Sequence, residues 1–209
     1  MTDVLIVGNG IQPSQSVLES FVCQSPVIIA LDGAALTLQQ RQIQPDVIIG
    51  DMDSLTSKQL DTFQSKGVNI VKDSNQDTSD ISKGLTWSQK QYPEKHIDVI
   101  GIEGGRLDHQ LAAFSALFEC QSKAHLHTDG WLVVRVTATP IQYSTTVGGN
   151  VSLIPFGEVS GVTLVGCKYS LEDEQLISGT RGIHNEAHGE QITASVSYTH
   201  LTLPTILRV

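Results

Sequence analysis

The strongest constraint on the fold is a repeated alternation that occupies the first two thirds of the chain. Val4 to Val7, Val27 to Leu31, Val47 to Ile49, Val68 to Val71 and Ile97 to Ile100 are continuous or nearly continuous apolar runs. Strands covered on both faces have this composition, because neither face can present polar groups to a packed helix. Between the runs, the spacing predicts helices over about Ser14 to Val22, Ala34 to Arg41, Thr56 to Lys66, Ser79 to Gln91 and Leu107 to Glu119. Several of them open near Ser, Thr or Asp, whose side chains satisfy the first free N–H groups of a helix. A βα unit repeated in this way predicts a doubly wound, mostly parallel α/β sheet with helices on both faces.

The character changes near Thr137. Gly, Pro, Thr and Val then dominate, and short strand-like pieces (Val151 to Ile154, Val162 to Val165, Gln191 to Val196) are separated by turn signals such as Gly148-Gly149-Asn150 and Pro155-Phe156-Gly157. This second part predicts a small all-β domain. With 209 residues the chain has room for two modest domains, expected at 1–135 and 136–209. The acidic run Glu172-Asp173-Glu174 reads as a solvated turn.

Composition removes several classes of function. Thirteen basic residues against 22 acidic ones leave a formal charge of −9, which repels a phosphate backbone over most of the surface, so nucleic acid is not expected as a partner. No window approaches the roughly 18 consecutive apolar residues of a membrane span, and Met1-Thr2-Asp3 lacks the basic flank of a secretory signal. Cys23, Cys120 and Cys167 are far apart, which gives neither a zinc-ligand spacing nor a disulfide framework. A cytoplasmic location is expected, with no membrane partner.

In open parallel sheets ligands bind beyond the carboxyl ends of the strands, so the residues after each apolar run are the ones that matter. They are Gly8-Asn9-Gly10, Asp32-Gly33, Gly50-Asp51-Met52-Asp53-Ser54, Asp73, and Gly101 before Gly104-Gly105-Arg106-Leu107-Asp108-His109. Asp51 and Asp53 lie two apart on a segment leaving a strand, and in extended geometry both point the same way. Asp77, Asp80 and Asp108 bring the acidic groups on this rim to five, and so many like charges call for a divalent cation. Oxygen ligands favour Mg²⁺, or Mn²⁺, over zinc, and Mg²⁺ is commonly shared between carboxylates and substrate phosphates. The Gly104-Gly105-Arg106 turn offers amides and a guanidinium to a phosphate just before a helix start, and Lys83 projects from the first turn of the helix that Asp80 opens. His125 and His127 alternate on one strand face with no acid or cysteine beside them in the sequence, and read as surface residues rather than ligands.

These residues carry a resemblance to a known family. Pro45-Asp46-Val47-Ile48-Ile49-Gly50-Asp51-Met52-Asp53-Ser54, then Asn75-Gln76-Asp77-Thr78-Ser79-Asp80-Ile81-Ser82-Lys83, then Gly104-Gly105-Arg106-Leu107-Asp108-His109 closely resemble the thiamine pyrophosphokinases. Asp32-Gly33-Ala34 and Arg181-Gly182-Ile183-His184-Asn185-Glu186 extend the likeness over most of the chain. The resemblance implies transfer of a diphosphoryl group from ATP to the hydroxyethyl oxygen of thiamine, giving thiamine diphosphate and AMP. It implies Mg²⁺ on Asp51, Asp53, Asp80 and Asp108, and triphosphate contacts from Arg106, Lys83 and Gln76. Asp32, Asp77, Ser79 and His109 are expected around the nucleotide, His184 and Asn185 at thiamine, and Asp53 or Asp80 as acceptor of the hydroxyl proton. It further implies a homodimer with an α/β domain and a small C-terminal β-sandwich, in which thiamine sits where the first domain of one chain meets the second domain of the other.

The chain departs from the family pattern twice. His184-Asn185-Glu186 stands where the family usually has Ser-Asn before an acid, which places a larger side chain where the thiamine ring is expected. From about Tyr198 the sequence does not read like the family's final apolar strand, and a foreign or frameshifted tail is expected there. His184 motivates one competing function, a diphosphokinase for another small alcohol such as a hydroxymethylpterin. A non-catalytic nucleotide or thiamine sensor is the other, and the clustering of Asp51, Asp53, Asp80, Arg106 and Asp108 argues against it.

Overall fold

The structure is a computed structural model that describes the backbone of residues 3–199 and 203–208 and the side chains of 3–197. The chain divides into two compact units between Asp129 and Gly130.

The first unit alternates strand and helix throughout: β1 (Val4–Val7), α1 (Gln15–Gln24), β2 (Val27–Leu31), α2 (Ala34–Gln40), β3 (Val47–Gly50), α3 (Ser57–Ser65), β4 (Asn69–Lys72), α4 (Asp80–Gln91), β5 (Ile97–Ile100), α5 (Leu107–Glu119) and β6 (His125–Thr128). All its strand pairs are parallel and the order is β6-β5-β1-β2-β3-β4. Strand order therefore reverses at β1, which sits between β5 and β2, and a crevice opens beyond the carboxyl ends at such a reversal.

Residues alternate between the two faces of these strands. Leu5, Val7, Ile28, Ala30 and Ile48 pack with Leu18 of α1, Leu38 of α2 and Phe63 of α3. On the opposite face α4 lies so close that a Cβ on Gly84 would come within 2.7 Å of Leu31 and 3.6 Å of Ile6. Local chemistry sets the helix starts. Thr56 forms a capping box with Gln59 at α3, and Ser79 accepts from Ser82 N at α4.

The second unit contains β7 (Trp131–Val136), β8 (Ile141–Ser144), β9 (Asn150–Leu153), β10 (Glu158–Val165), β11 (Leu171–Ile177), β12 (Asn185–Glu186), β13 (Gln191–Ser195), β14 (Tyr198–Thr199) and β15 (Leu203–Arg208). Within it β12-β9-β15-β7 and β11-β10-β13-β8 form two antiparallel sets, with β14 on β10. Leu132, Val134 and Val136 of β7, Val151 and Leu153 of β9, Val162 and Leu164 of β10, and Ile192 and Ala194 of β13 share one apolar core. Their period of two is that of strands with one face buried.

Two expectations need correction. The first concerns the domain division, expected at 135/136 inside β7 but falling before β7, because β7 pairs along its whole length with β15 and shares its inward residues with the β core. The second concerns Glu172-Asp173-Glu174, which is not a turn but part of β11. There the residues are exposed or half-buried and Glu174 pairs with Arg181. The atypical segment from Tyr198 is described only by its backbone at Tyr198–Thr199 and Leu203–Arg208; the remainder lies outside the described residues.

Candidate active site

The crevice at the reversal point is a cavity of about 660 Å³. Its size lies in the range of small-molecule sites. Three segments wall it: Gly8 to Gly10 after β1, Gln76 to Lys83 with the start of α4, and Gly101 to His109 leading into α5. Asp51 joins them from the end of β3. Close backbone approach shapes the floor. Gly8 N donates to Ile100 O at 2.9 Å and Gly10 N to Gly101 O at 2.7 Å, and a Cβ on Gly8 would meet Gly101 O at 2.6 Å. Only glycine lets the two segments zip together at this distance.

Asp32, Asp51 and Asp53 bring carboxylate oxygens to within 4.8 Å of one another. The sheet is what unites them. β2 and β3 are neighbours with Leu31 opposite Ile49, and Asp32 N donates to Ile49 O at 2.8 Å. Asp32 is 5% exposed, turns on a positive φ of 41°, and accepts from Ser54 N at 3.3 Å. Its other oxygen is buried without a hydrogen-bond partner. Burial, and after it the charge of Asp53, raise its pKa above the usual carboxylate value. Asp51 moves the other way, lowered chiefly by the hydrogen bond that Gln76 donates at 3.1 Å. An oxygen-only donor set with one orphaned acceptor fits a hard divalent cation such as Mg²⁺ or Mn²⁺.

Around this cluster the charges are paired. Lys83, whose side chain is 4% exposed, reaches Asp80 at 3.1 Å from one helical turn away. Arg106 grips Asp108 with two hydrogen bonds of 3.0 and 2.5 Å on the exposed side of the Gly-Gly turn. That guanidinium holds Asp108 down at about 2. The loop before α4 orders itself: Asp73 accepts from Asn75 N and Asn75 from Asp77 N, both at 2.9 Å.

The structure thus brings Asp51, Gln76, Asp77, Ser79, Asp80, Lys83, Arg106 and His109 to one cavity, with Asp32 and Asp53 joined to it through Asp51. The cluster that fits a cation is Asp32-Asp51-Asp53, whereas Asp80 is engaged with Lys83 and Asp108 with Arg106. His184 and Asn185 belong to the second unit. His184 is exposed at a positive φ of 59° with its N–H on Ser152. Asn185 is buried, and its side chain bonds both the N–H and the C=O of Tyr169.

One group of side chains was misread in the sequence. His125 and His127 do have an acid beside them: Asp98, inside a strand that reads as apolar, bonds His127 at 2.6 Å and lies 3.7 Å from His125. Its alternation with His96 in the pattern His-x-Asp was the available signal.

Carboxylates, backbone amides, a buried lysine and an arginine around one crevice, at the strand-order reversal of a parallel sheet, define an α/β protein whose cleft has the donors a hard cation and a phosphate need. Residues 18–127 match the thiamin pyrophosphokinase catalytic domain, and residues 139–202 match the thiamin pyrophosphokinase vitamin B1 binding domain. The chain belongs to the thiamin pyrophosphokinase family.

Thiamine pyrophosphokinase 1 of Oryza sativa subsp. japonica is 28% identical over 148 residues, 65% of this chain and 56% of the relative. The Bacillus subtilis thiamine pyrophosphokinase is 28% identical over 195 residues, 89% and 90% of the two chains. The chain spans 56% and 61% of the length of rice thiamine pyrophosphokinases 1 and 2 and 57% of thiamine pyrophosphokinase 2 of Arabidopsis thaliana. Among solved structures, that of the Bacillus subtilis thiamine pyrophosphokinase superposes with a TM-score of 0.79 at 23% identity over 100% of this chain and 99% of that one. The yeast thiamin pyrophosphokinase superposes with 0.74 at 18% identity over 99% and 86%. The fold is theirs.

Proposed function

We propose that the protein is a thiamine pyrophosphokinase, transferring the diphosphoryl group of ATP to thiamine and releasing AMP. The observation that carries this proposal is the convergence of Asp32, Asp51 and Asp53 at the wall of a cavity that also presents Lys83, Gln76 and Arg106. The three carboxylates would hold Mg²⁺, with Asp80, whose charge acts on Asp32, as the further carboxylate of the cavity. An ion held there would supply charge neutralisation to the triphosphate as negative charge develops on it.

The chain's own groups do the positioning. Lys83, Gln76 and Arg106 contact phosphate oxygens; Asp108 orients the Arg106 guanidinium by its two bonds. Gly8 to Gly10 admit the nucleotide close to the backbone. The hydroxyethyl oxygen of thiamine forms a bond to the β-phosphorus as the bond from that phosphorus to the α-phosphate oxygen breaks, and AMP leaves. The hydroxyl proton passes to a carboxylate of the cavity, Asp53 or Asp80. Such chemistry rests on alignment and on charges fixed in advance.

The protein is in this proposal a cytoplasmic homodimer, with thiamine held between the first domain of one chain and the second domain of its partner. The match of residues 139–202 to a vitamin B1 binding domain supports thiamine as the acceptor, and the free thiols of Cys23, Cys120 and Cys167 suit a reducing compartment.

Phosphorus NMR of the protein with ATP, Mg²⁺ and thiamine, against a control without thiamine, tests the reaction. AMP and thiamine diphosphate are expected together, and Asp53→Asn removes both. ADP with a monophosphate ester would refute diphosphoryl transfer, and AMP formation that needs a different alcohol would refute thiamine as the acceptor.

A further inference from the structure

The cluster around Asp98 lies in the first unit, away from the carboxyl ends where the cavity opens. His96 and Asp98 stand two apart at the start of β5; His125 and His127 stand two apart on β6; and Asp98 is the register partner of His125. The period-two geometry of both strands puts all four on one face. His96 Nε2 is 3.3 Å, His125 Nδ1 3.7 Å and His127 Nε2 2.6 Å from the same carboxylate oxygen. The donor atoms of His96, Asp98 and His125 all lie within 4.8 Å of one another.

We propose that His96, Asp98 and His125 form a second metal site, selective for a zinc-class divalent ion, with His127 holding the carboxylate in place. Tetrahedral bonds of about 2.0–2.1 Å put neighbouring ligand atoms about 3.3–3.4 Å apart; the 3.3 and 3.7 Å distances from Asp98 to His96 and His125 lie near that, and the two imidazoles, within 4.8 Å of each other, close in on the ion. Two imidazoles and one carboxylate suit zinc and its neighbours, whereas the oxygen-only Asp32-Asp51-Asp53 set suits magnesium, so the two sites sort different ions.

The site is built yet reachable. The Asp98 side chain is 6% exposed, while those of His96, His125 and His127 are 33%, 21% and 26% exposed, giving the ion a path. Phe21 of α1 packs edge-on against His127 at 4.8 Å between ring centres, and His96 against His125 at 4.2 Å, so the rings are held before any ion arrives. Because the ligands come from β5 and β6, an ion there clips the two strands together.

The test uses the full chain, stripped with a chelator and kept in excess Mg²⁺ so that the acidic cluster is filled. Zn²⁺ is titrated against a zinc-binding dye, and Co²⁺ is followed by its visible spectrum. One equivalent of Zn²⁺ is expected to bind and to raise the melting temperature. His96→Ala is expected to weaken binding at least about tenfold and to abolish the tetrahedral Co²⁺ spectrum, while Asp53→Asn leaves both intact. NMR of the histidine rings in the unaltered protein needs no variant: Zn²⁺ should shift the His96 and His125 signals together at one equivalent. No Zn²⁺ binding in the presence of Mg²⁺, binding equal in His96→Ala, or binding lost with Asp53→Asn would each overturn the proposal.

Discussion

Asp32→Asn should make the metal-free protein more stable while removing its activity. Asp32 is a buried carboxylate whose oxygens lie within 4.8 Å of those of Asp51 and Asp53, and one of its own oxygens has no hydrogen-bond partner. Two unit charges at that separation repel by about 1 kcal/mol in bulk water and about 3.5 kcal/mol at the effective dielectric of a protein site. Asp53 is exposed and Asp51 half-buried, so the lower figure governs each pair. Together with the desolvation of Asp32, the cost removed is about 2–3 kcal/mol, or a rise in melting temperature of about 4–10 °C for a chain of this size. Asparagine is nearly isosteric and still accepts from Ser54 N, so no packing is lost.

Thermal melts in EDTA at neutral pH measure this effect. The sign of its pH dependence follows from the raised pKa of Asp32. The charged form costs stability above the folded-state pKa, and that cost vanishes as protonation proceeds below it. The advantage of the variant is therefore greatest at neutral pH and shrinks in acid. Adding Mg²⁺ should stabilise the unaltered protein more than the variant. A variant that melts at or below the unaltered protein in EDTA would refute the account of the cluster as a strained, cation-seeking site.

Arg106→Gln should return the pKa of Asp108 from about 2 toward the ordinary carboxylate value, read by carboxyl NMR. The pairing of Arg106 with Asp108 is present above that ordinary value and lost as pH falls toward about 2. The same variant should lower kcat/KM for ATP about a hundredfold or more; unchanged kinetics would remove Arg106 from the phosphate site. Gly8→Ala places a Cβ against the Gly101 carbonyl and should cost about 1–3 kcal/mol in a denaturant melt and raise KM for ATP. Thr56→Ala breaks the capping box of α3 and should cost about 1 kcal/mol with kcat unchanged, since no residue of α3 lines the cavity. Chelation should abolish turnover, and Mg²⁺ or Mn²⁺ should restore it.

The order of elements was legible in the chain because strands buried on both faces are apolar and two of the helices between them, α3 and α4, carry side-chain caps. Val4–Val7, Val27–Leu31, Ile97–Ile100 and Leu107–Glu119 form as their composition predicts. So do the acids and glycines after each strand, which the parallel topology delivers to one rim. What the sequence could not supply is which of those groups meet. Asp32 lies 19 positions before Asp51 in the chain, yet joins the Asp51-Asp53 pair because β2 and β3 are neighbours in a fixed register. Asp98 and His125 are 27 positions apart and meet for the same reason on β5 and β6. Chemistry at a residue is written in its side chain, but proximity between strands is a property of sheet order and register, and these are set by the packing of the whole unit.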